Sequence, residues 1–232
     1  MISENRYLKW FGVFGCLGAC IMFTGDMLLF GSFANTSGAE FMADYYQNLG
    51  AVYAPTIRLG SLLGPFAVFF FLIGFVQIYY ALRPAGRGWA LLTFLFFAFS
   101  SILIGSYHFG MGYIGYLGKL GNALGGENAD ALQMMESLCW DHTYYLYFFG
   151  NLFAQIATAL LFYTVLIHKT HYPSSIIYLT PIALLFAGNA LPQTLPAPIG
   201  GYIAAGYSNL IYILFFLFAT ILVKKEIVIN QD

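Results

Sequence analysis

Two acids and two imidazoles stand out in a chain that has few of either: Asp26, His108, Asp141 and His142. All four sit in or at the edge of long apolar runs. There an unpaired charge costs about 2.5 kcal/mol or more, so such a group persists when it pairs, binds something or lines water. Carboxylate oxygen and imidazole nitrogen together are a donor set for a divalent metal such as zinc, with one position left for water. Without a metal the same groups can serve as general acid and base. Arg58 adds an anion clamp for a carboxylate or a lipid headgroup. Asn151, Asn189, Gln193, Tyr202 and Asn209 supply the amides and phenol that a small polar or amphipathic ligand would need. No compact catalytic motif is present, neither HExxH nor GxSxG.

These residues need a scaffold, and the composition points to a membrane. The chain is 60% hydrophobic and 8% charged, against about 25% charged in a soluble domain. Six apolar segments cover about residues 10–30, 59–82, 89–116, 140–167, 174–195 and 200–223. Each can cross a hydrocarbon core of about 30 Å as a helix, and backbone satisfaction in lipid leaves helix as the form for such runs. The expected fold is therefore all-α, one domain over residues 1–232, an integral bundle of six transmembrane helices. The first segment is longer than the apolar core of a cleavable signal, so it is read as a retained span. A net charge of −1 leaves no basic surface for nucleic acid.

Orientation follows from the basic residues. Arg6, Lys9, Arg83, Arg87, Lys169, Lys224 and Lys225 fall on one side of a six-span arrangement, and Arg58 and Lys119 on the other. The positive-inside rule then puts both termini in the cytoplasm of a multi-pass cell-membrane protein. The two long outer connections, about Glu40–Tyr53 and Gly125–Cys139, have apolar residues at helical spacing and are expected to form short amphipathic helices on the outer face.

Within this frame the polar residues gather at one depth. Gly12, Gly15, Ala19, Met22 and Asp26 follow steps of three and four, a small-residue face of the kind that packs helices in lipid. Ser101, Gly105, His108, Gly112 and Gly115 do the same. Asp26 lies about 17 residues beyond Lys9, roughly 25 Å along a helix, and His108 is at matching depth. Asp141, Tyr144, Phe148, Asn151, Gln155 and Thr158 form a third, mostly polar stripe, expected to face other helices or a water-filled cavity. Arg58, Asn189, Gln193, Tyr202 and Asn209 also belong to outer halves, whereas the inner halves hold little beyond Gln77, Gln155 and Thr158. Arg58, His108 and His142 are the candidate partners of Asp26 and Asp141. His168 and His171 flank Lys169 at the cytoplasmic edge and read as surface residues. Cys16, Cys20 and Cys139 make no metal motif and read as packing thiols.

Gly25-Asp26-Met27-Leu28-Leu29, the segment around His108, and Leu195-Pro196-Ala197-Pro198-Ile199-Gly200-Gly201-Tyr202 resemble an uncharacterised family of bacterial multi-pass membrane proteins. The resemblance spans nearly the whole chain. It implies a bacterial inner-membrane setting with six helices and brings no activity with it. Alkaline ceramidases and progestin receptors also build sites from separated Asp and His residues, but they carry paired histidines in the last helix, and the last segment here has none.

The expectation is a polar cavity in the outer half that binds or modifies a lipid-like or small amphipathic ligand, with or without a metal. The alternative is a small-molecule transporter or a binding protein without catalysis, for which Pro181 and Pro192 hint at a broken helix. A third reading is haem or quinone held through His108 and His142.

Overall fold

The structure is a computed structural model, and it describes residues 4–44, 48–124, 126–182 and 191–223. The helices are α1 (Glu4–Phe30), α2 (Gly38–Asp44), α3 (Ala54–Leu82), α4 (Arg87–Leu124), α5 (Gly126–Ile167) and α6 (Ile199–Leu222), and no strand occurs among the described residues. Tight 3-10 turns cover Gly31–Phe33, Leu49–Ala51, Arg83–Ala85 and Ser174–Leu179, and one helical turn covers Leu191–Thr194. Five helices, α1 and α3 to α6, are long and apolar enough to cross a membrane.

Helix starts and stops have local causes. Pro55 sits in the first turn of α3, where its missing N–H is not needed. The turn between α3 and α4 closes on Gly86 at φ 126°, a backbone state that favours glycine. Ser37 and Glu40 form a reciprocal capping box on α2: Ser37 N and Oγ both donate to Glu40 Oε2 at 2.9 Å, and Glu40 N donates to Ser37 Oγ at 3.3 Å.

Small residues set how the long helices meet. A Cβ on Gly74 would collide with Gly15 Cα, and one on Gly60 would stand 3.1 Å from the Gly25 carbonyl, so α1 and α3 touch backbone to backbone. Gly105, Gly112 and Gly115 of α4 face Val68, Ser61 and Ile57 of α3. Close approach of this kind supplies dispersion contact where lipid offers no hydrophobic drive between helices. The outward side chains, among them Leu59, Phe66, Phe69, Leu95 and Phe99, are exposed and apolar, which suits acyl chains.

The two ends of the bundle are fixed by contacts distant in sequence. At one end, Gln77 Nε2 donates to Leu8 O at 3.1 Å and lies 3.4 Å from Thr220 Oγ1, and His171 N donates to Ala81 O at 2.9 Å. At the other end, Gly201 N donates to Thr36 O at 3.1 Å and Gly38 N to Leu195 O at 3.4 Å. Between them, Phe71, Phe75, Phe97 and Phe216 fill the axis, with Phe75 and Phe97 stacked at 4.8 Å.

Three expectations change. The fifth apolar segment is not one long helix where it is described. Thr180 is extended (φ −64°, ψ 148°) ahead of Pro181, as the residue before a proline prefers, so the 3-10 turn stops there; residues 183–190 lie outside the described residues. The outer stretch 125–139 is not a separate amphipathic helix, since from Gly126 it is the first part of α5. With 38 and 42 residues, α4 and α5 run about 57 and 63 Å, well past a core of about 30 Å. Of the stretch 40–53, residues 40–44 belong to α2 and Leu49–Ala51 form a turn that packs on Gly118 of α4, while residues 45–47 lie outside the described residues.

Candidate functional site

Three helices bring one polar group each to the same point. Asp26 comes from α1, His108 from α4 and Asn209 from α6. His108 Nε2 lies 3.2 Å from Asp26 Oδ1, and Asn209 Nδ2 donates to Asp26 Oδ2 at 2.6 Å. Asp26 is 7% exposed and His108 2%, so both carboxylate oxygens take their donors from the protein.

The geometry follows from the small-residue faces. Gly64 of α3 lies flat against His108, and a Cβ there would collide with the imidazole's own Cβ. Gly25, beside Asp26, places its α-carbon face toward His108 Nδ1. The carboxylate facing Nε2 assigns the donated proton to that nitrogen. Nδ1 is buried, and no hydrogen-bond partner reaches it among the described residues. Tyr107 stands edge-on to His108 at 5.8 Å between ring centres and packs 5.1 Å from Tyr147 of α5.

Asn209 is the more open member. It is half-buried, and after donating one N–H to Asp26 it keeps a carbonyl and a second N–H for another partner. Tyr147 is 38% exposed. Toward the Gln77 end of the bundle the Phe71, Phe75, Phe97 and Phe216 cluster closes the axis. The arrangement can therefore hold the Asp26 carboxylate between two donors, hold or exchange a proton at His108, and offer amide hydrogen bonds from Asn209.

The remaining candidates stand elsewhere. Asp141 and His142 are exposed on α5, away from Asp26 and His108. His142 borders a groove of about 450 Å³ between α4 and α5, with Ser106, Phe109, Tyr113, Cys139 and Thr143. Arg58 is exposed at the start of α3, and Gln193 and Tyr202 are exposed near the outer end. Asn151 turns its amide onto Tyr147 O at 2.8 Å within its own helix. Asn189 lies outside the described residues. Among the described residues, no three His, Cys, Asp or Glu side chains gather as a metal would require. His108 and His142 do not oppose each other as two axial ligands would, since one points into the bundle and the other away from it.

The stripe Asp141, Tyr144, Phe148, Asn151, Gln155 and Thr158 is not the inward face of α5. Asp141, Tyr144, Phe148 and Gln155 are exposed, and the buried residues are Thr143, Gly150, Ala157, Thr158, Leu161 and Thr164. Gly150 against Ile104 and Thr143 against Gly110 show why: close packing of small residues orients the helix, and polarity does not. Tyr107 and Tyr147 escaped the sequence reading, because nothing marks two tyrosines among eighteen. The Ser37–Glu40 capping box escaped it too, although S-x-x-E at residues 37–40 is the signature of one.

No curated protein and no solved structure matches the chain. A family of unknown function, DUF6796, matches residues 1–226, nearly the whole length over which α1 to α6 and the Asp26–His108–Asn209 cluster are built, and the chain belongs to that family.

Proposed function

We propose that this multi-pass membrane protein crosses the bilayer six times, with both termini cytoplasmic, and binds a lipid-like or small amphipathic ligand in its outer half. The observation that carries the reading is the meeting of Asp26, His108 and Asn209 from three separate helices, above an axis filled by phenylalanine rings. A polar cluster open on one side and sealed on the other suits binding better than conduction, because transport needs an inner pathway. Asp26 and His108 form the fixed base of the site. Asn209 and Tyr147 meet the polar end of the ligand, whose apolar part lies along the bundle.

The two ends of the fifth segment support a sixth crossing. Tyr172 adjoins the end of the bundle marked by Ala81, and Leu191 begins the turn whose Pro192 contacts Gly38 at the opposite end. The described ends of the segment thus sit at opposite ends of the bundle, so the chain between them passes from one end to the other. With that crossing, seven of the nine basic residues fall on one face, which the positive-inside rule assigns to the cytoplasm.

The test is native mass spectrometry of protein released from a mild detergent. The reading expects one small-molecule adduct on the wild type that is lost from Asn209→Leu and weakened in Asp26→Asn, both still folded. An adduct that is equally abundant on both variants would place the ligand elsewhere.

A further inference from the structure

At the opposite end of the bundle from Asp26, the chain leaving α5 makes a basic turn, His168-Lys169-Thr170-His171, around a cavity of about 540 Å³. Pro84, from the turn between α3 and α4, and Ser174 close its other sides. The volume is within the roughly 300–1,000 Å³ typical of small-molecule sites.

The turn is held in place rather than hanging as a loop. His168 N donates to Thr164 O at 3.0 Å, His171 N to Ala81 O at 2.9 Å, and Thr170 Oγ1 to Tyr172 O at 3.0 Å. The ring of Tyr172 is fully buried beneath it. Between these ties, the backbone N–H groups of Lys169 and Thr170 are given to no backbone carbonyl among the described residues. Lys169 and His168 are exposed, and among the described residues neither has a carboxylate within 4.0 Å. Arg83, next to Pro84, rests over the Tyr80 ring at 5.6 Å.

A fixed turn with an ammonium, the His168 imidazole and two amides that no backbone carbonyl takes among the described residues suits an anion with several acceptor oxygens. Lysine serves such a group as a point charge, and backbone N–H groups add directed hydrogen bonds. We propose that this cavity binds a phosphate group, presented by a phospholipid headgroup or by a free phosphorylated molecule. The site is separate from the Asp26 cluster and does not depend on what that cluster binds.

The experiment measures thermal unfolding of the full chain in a neutral maltoside detergent at constant ionic strength. The probes are short-chain phosphatidic acid, glycerol phosphate, inorganic phosphate and short-chain phosphatidylcholine. Phosphatidic acid is expected to raise the midpoint of the wild type. The half-saturating concentration is expected to rise at least tenfold in Lys169→Gln/His168→Gln, a variant of two exposed residues whose midpoint without probe stays at the wild-type value. Lys169→Arg is expected to keep the response. If glycerol phosphate or inorganic phosphate also raises the midpoint, the free phosphate group is sufficient; if phosphatidic acid alone does, the lipid headgroup is the source. The proposal is overturned if no phosphate probe shifts the midpoint, if phosphatidylcholine shifts it equally, or if the double variant responds like the wild type.

Discussion

Replacing His108 by alanine tests whether Asp26, His108 and Asn209 act as one unit. The change removes the donor 3.2 Å from Asp26 Oδ1 and leaves Asn209, at 2.6 Å, as the carboxylate's remaining partner. Two terms add. Losing the imidazole between α3 and α4 opens a cavity, and a carboxylate that is 7% exposed loses half of its donors. A fully unpaired charge at the centre of a membrane helix costs about 2.5–3.5 kcal/mol, while hydrogen bonds between membrane helices average about 0.6 and reach about 1.7 kcal/mol. A half-paired carboxylate lies between these, so His108→Ala should cost about 3 kcal/mol including the cavity. In an Asp26→Asn background the stranded charge is gone and the cavity remains, because the substituted amide can still pair with a rotated Asn209 side chain. The same change there should cost about 1.5 kcal/mol, giving a coupling of about 1.5 kcal/mol in a double-mutant cycle. The assay is reversible unfolding in mixed micelles as the denaturing detergent fraction rises. A coupling below about 0.5 kcal/mol, under the average for a neutral interhelical bond, would refute the idea that Asp26 depends on His108.

Other consequences can be checked as directly. Gly64→Leu should cost about 1–3 kcal/mol through overpacking, because its side chain must displace His108, and the same micelle titration reads the loss. The Glu40 carboxyl is held below its usual range by the Ser37 backbone N–H and then by the Ser37 hydroxyl. A depressed folded-state value stabilises above the unfolded value and loses that contribution as pH falls through the folded one. Protection factors of the α2 amides, corrected for intrinsic exchange, should therefore fall as pH drops below about 4.3, and Ser37→Ala should abolish this pH dependence. Gln77→Leu removes an amide whose Nε2 bonds Leu8 O and whose Oε1 is buried without a partner among the described residues; since one buried polar atom is relieved while another is stranded, the net change should be within about 1 kcal/mol. Single cysteines placed next to Lys9, Arg83 and Lys224 in a Cys16/Cys20/Cys139-free chain should react with an impermeant thiol reagent from the same side in sealed vesicles. Reaction of the Lys224 position from the opposite side would reduce the crossings to five.

Asp26 and His108 were readable as candidate partners, beside Arg58 and His142, because each is the sole ionisable residue on a face of small residues, and such faces pack against other helices in lipid. Asn209 was readable as an outer-half polar group but not as the second donor to Asp26, since nothing in spacing says which face of α6 turns toward α1. The α5 stripe misled for a related reason. Its polar residues recur at helical steps, yet Gly150 and Thr143 control which side touches α4. The fifth segment is apolar enough for a span, but Thr180-Pro181 breaks the helical geometry that hydropathy presumes. The length of α5 was hidden because its first turns mix Glu127, Asp130 and Glu136 with apolar residues, which reads equally as a surface helix or as a continuous rod. The basic turn at 168–171 looked like ordinary interfacial charge. Its fixed shape comes from His171 N reaching Ala81 O, a contact across ninety residues of sequence.

The central claim is that a ligand meets the Asp26–His108–Asn209 cluster from the outer half of the bundle. The most direct measurement is an experimental density map of the protein purified in a mild detergent, inspected around Asn209 and Tyr147. The account predicts non-protein density within hydrogen-bonding distance of the Asn209 amide, continuous with an apolar tail along the bundle. A well-ordered map in which protein side chains alone complete the hydrogen bonds of Asn209, with bound density only elsewhere, would contradict it.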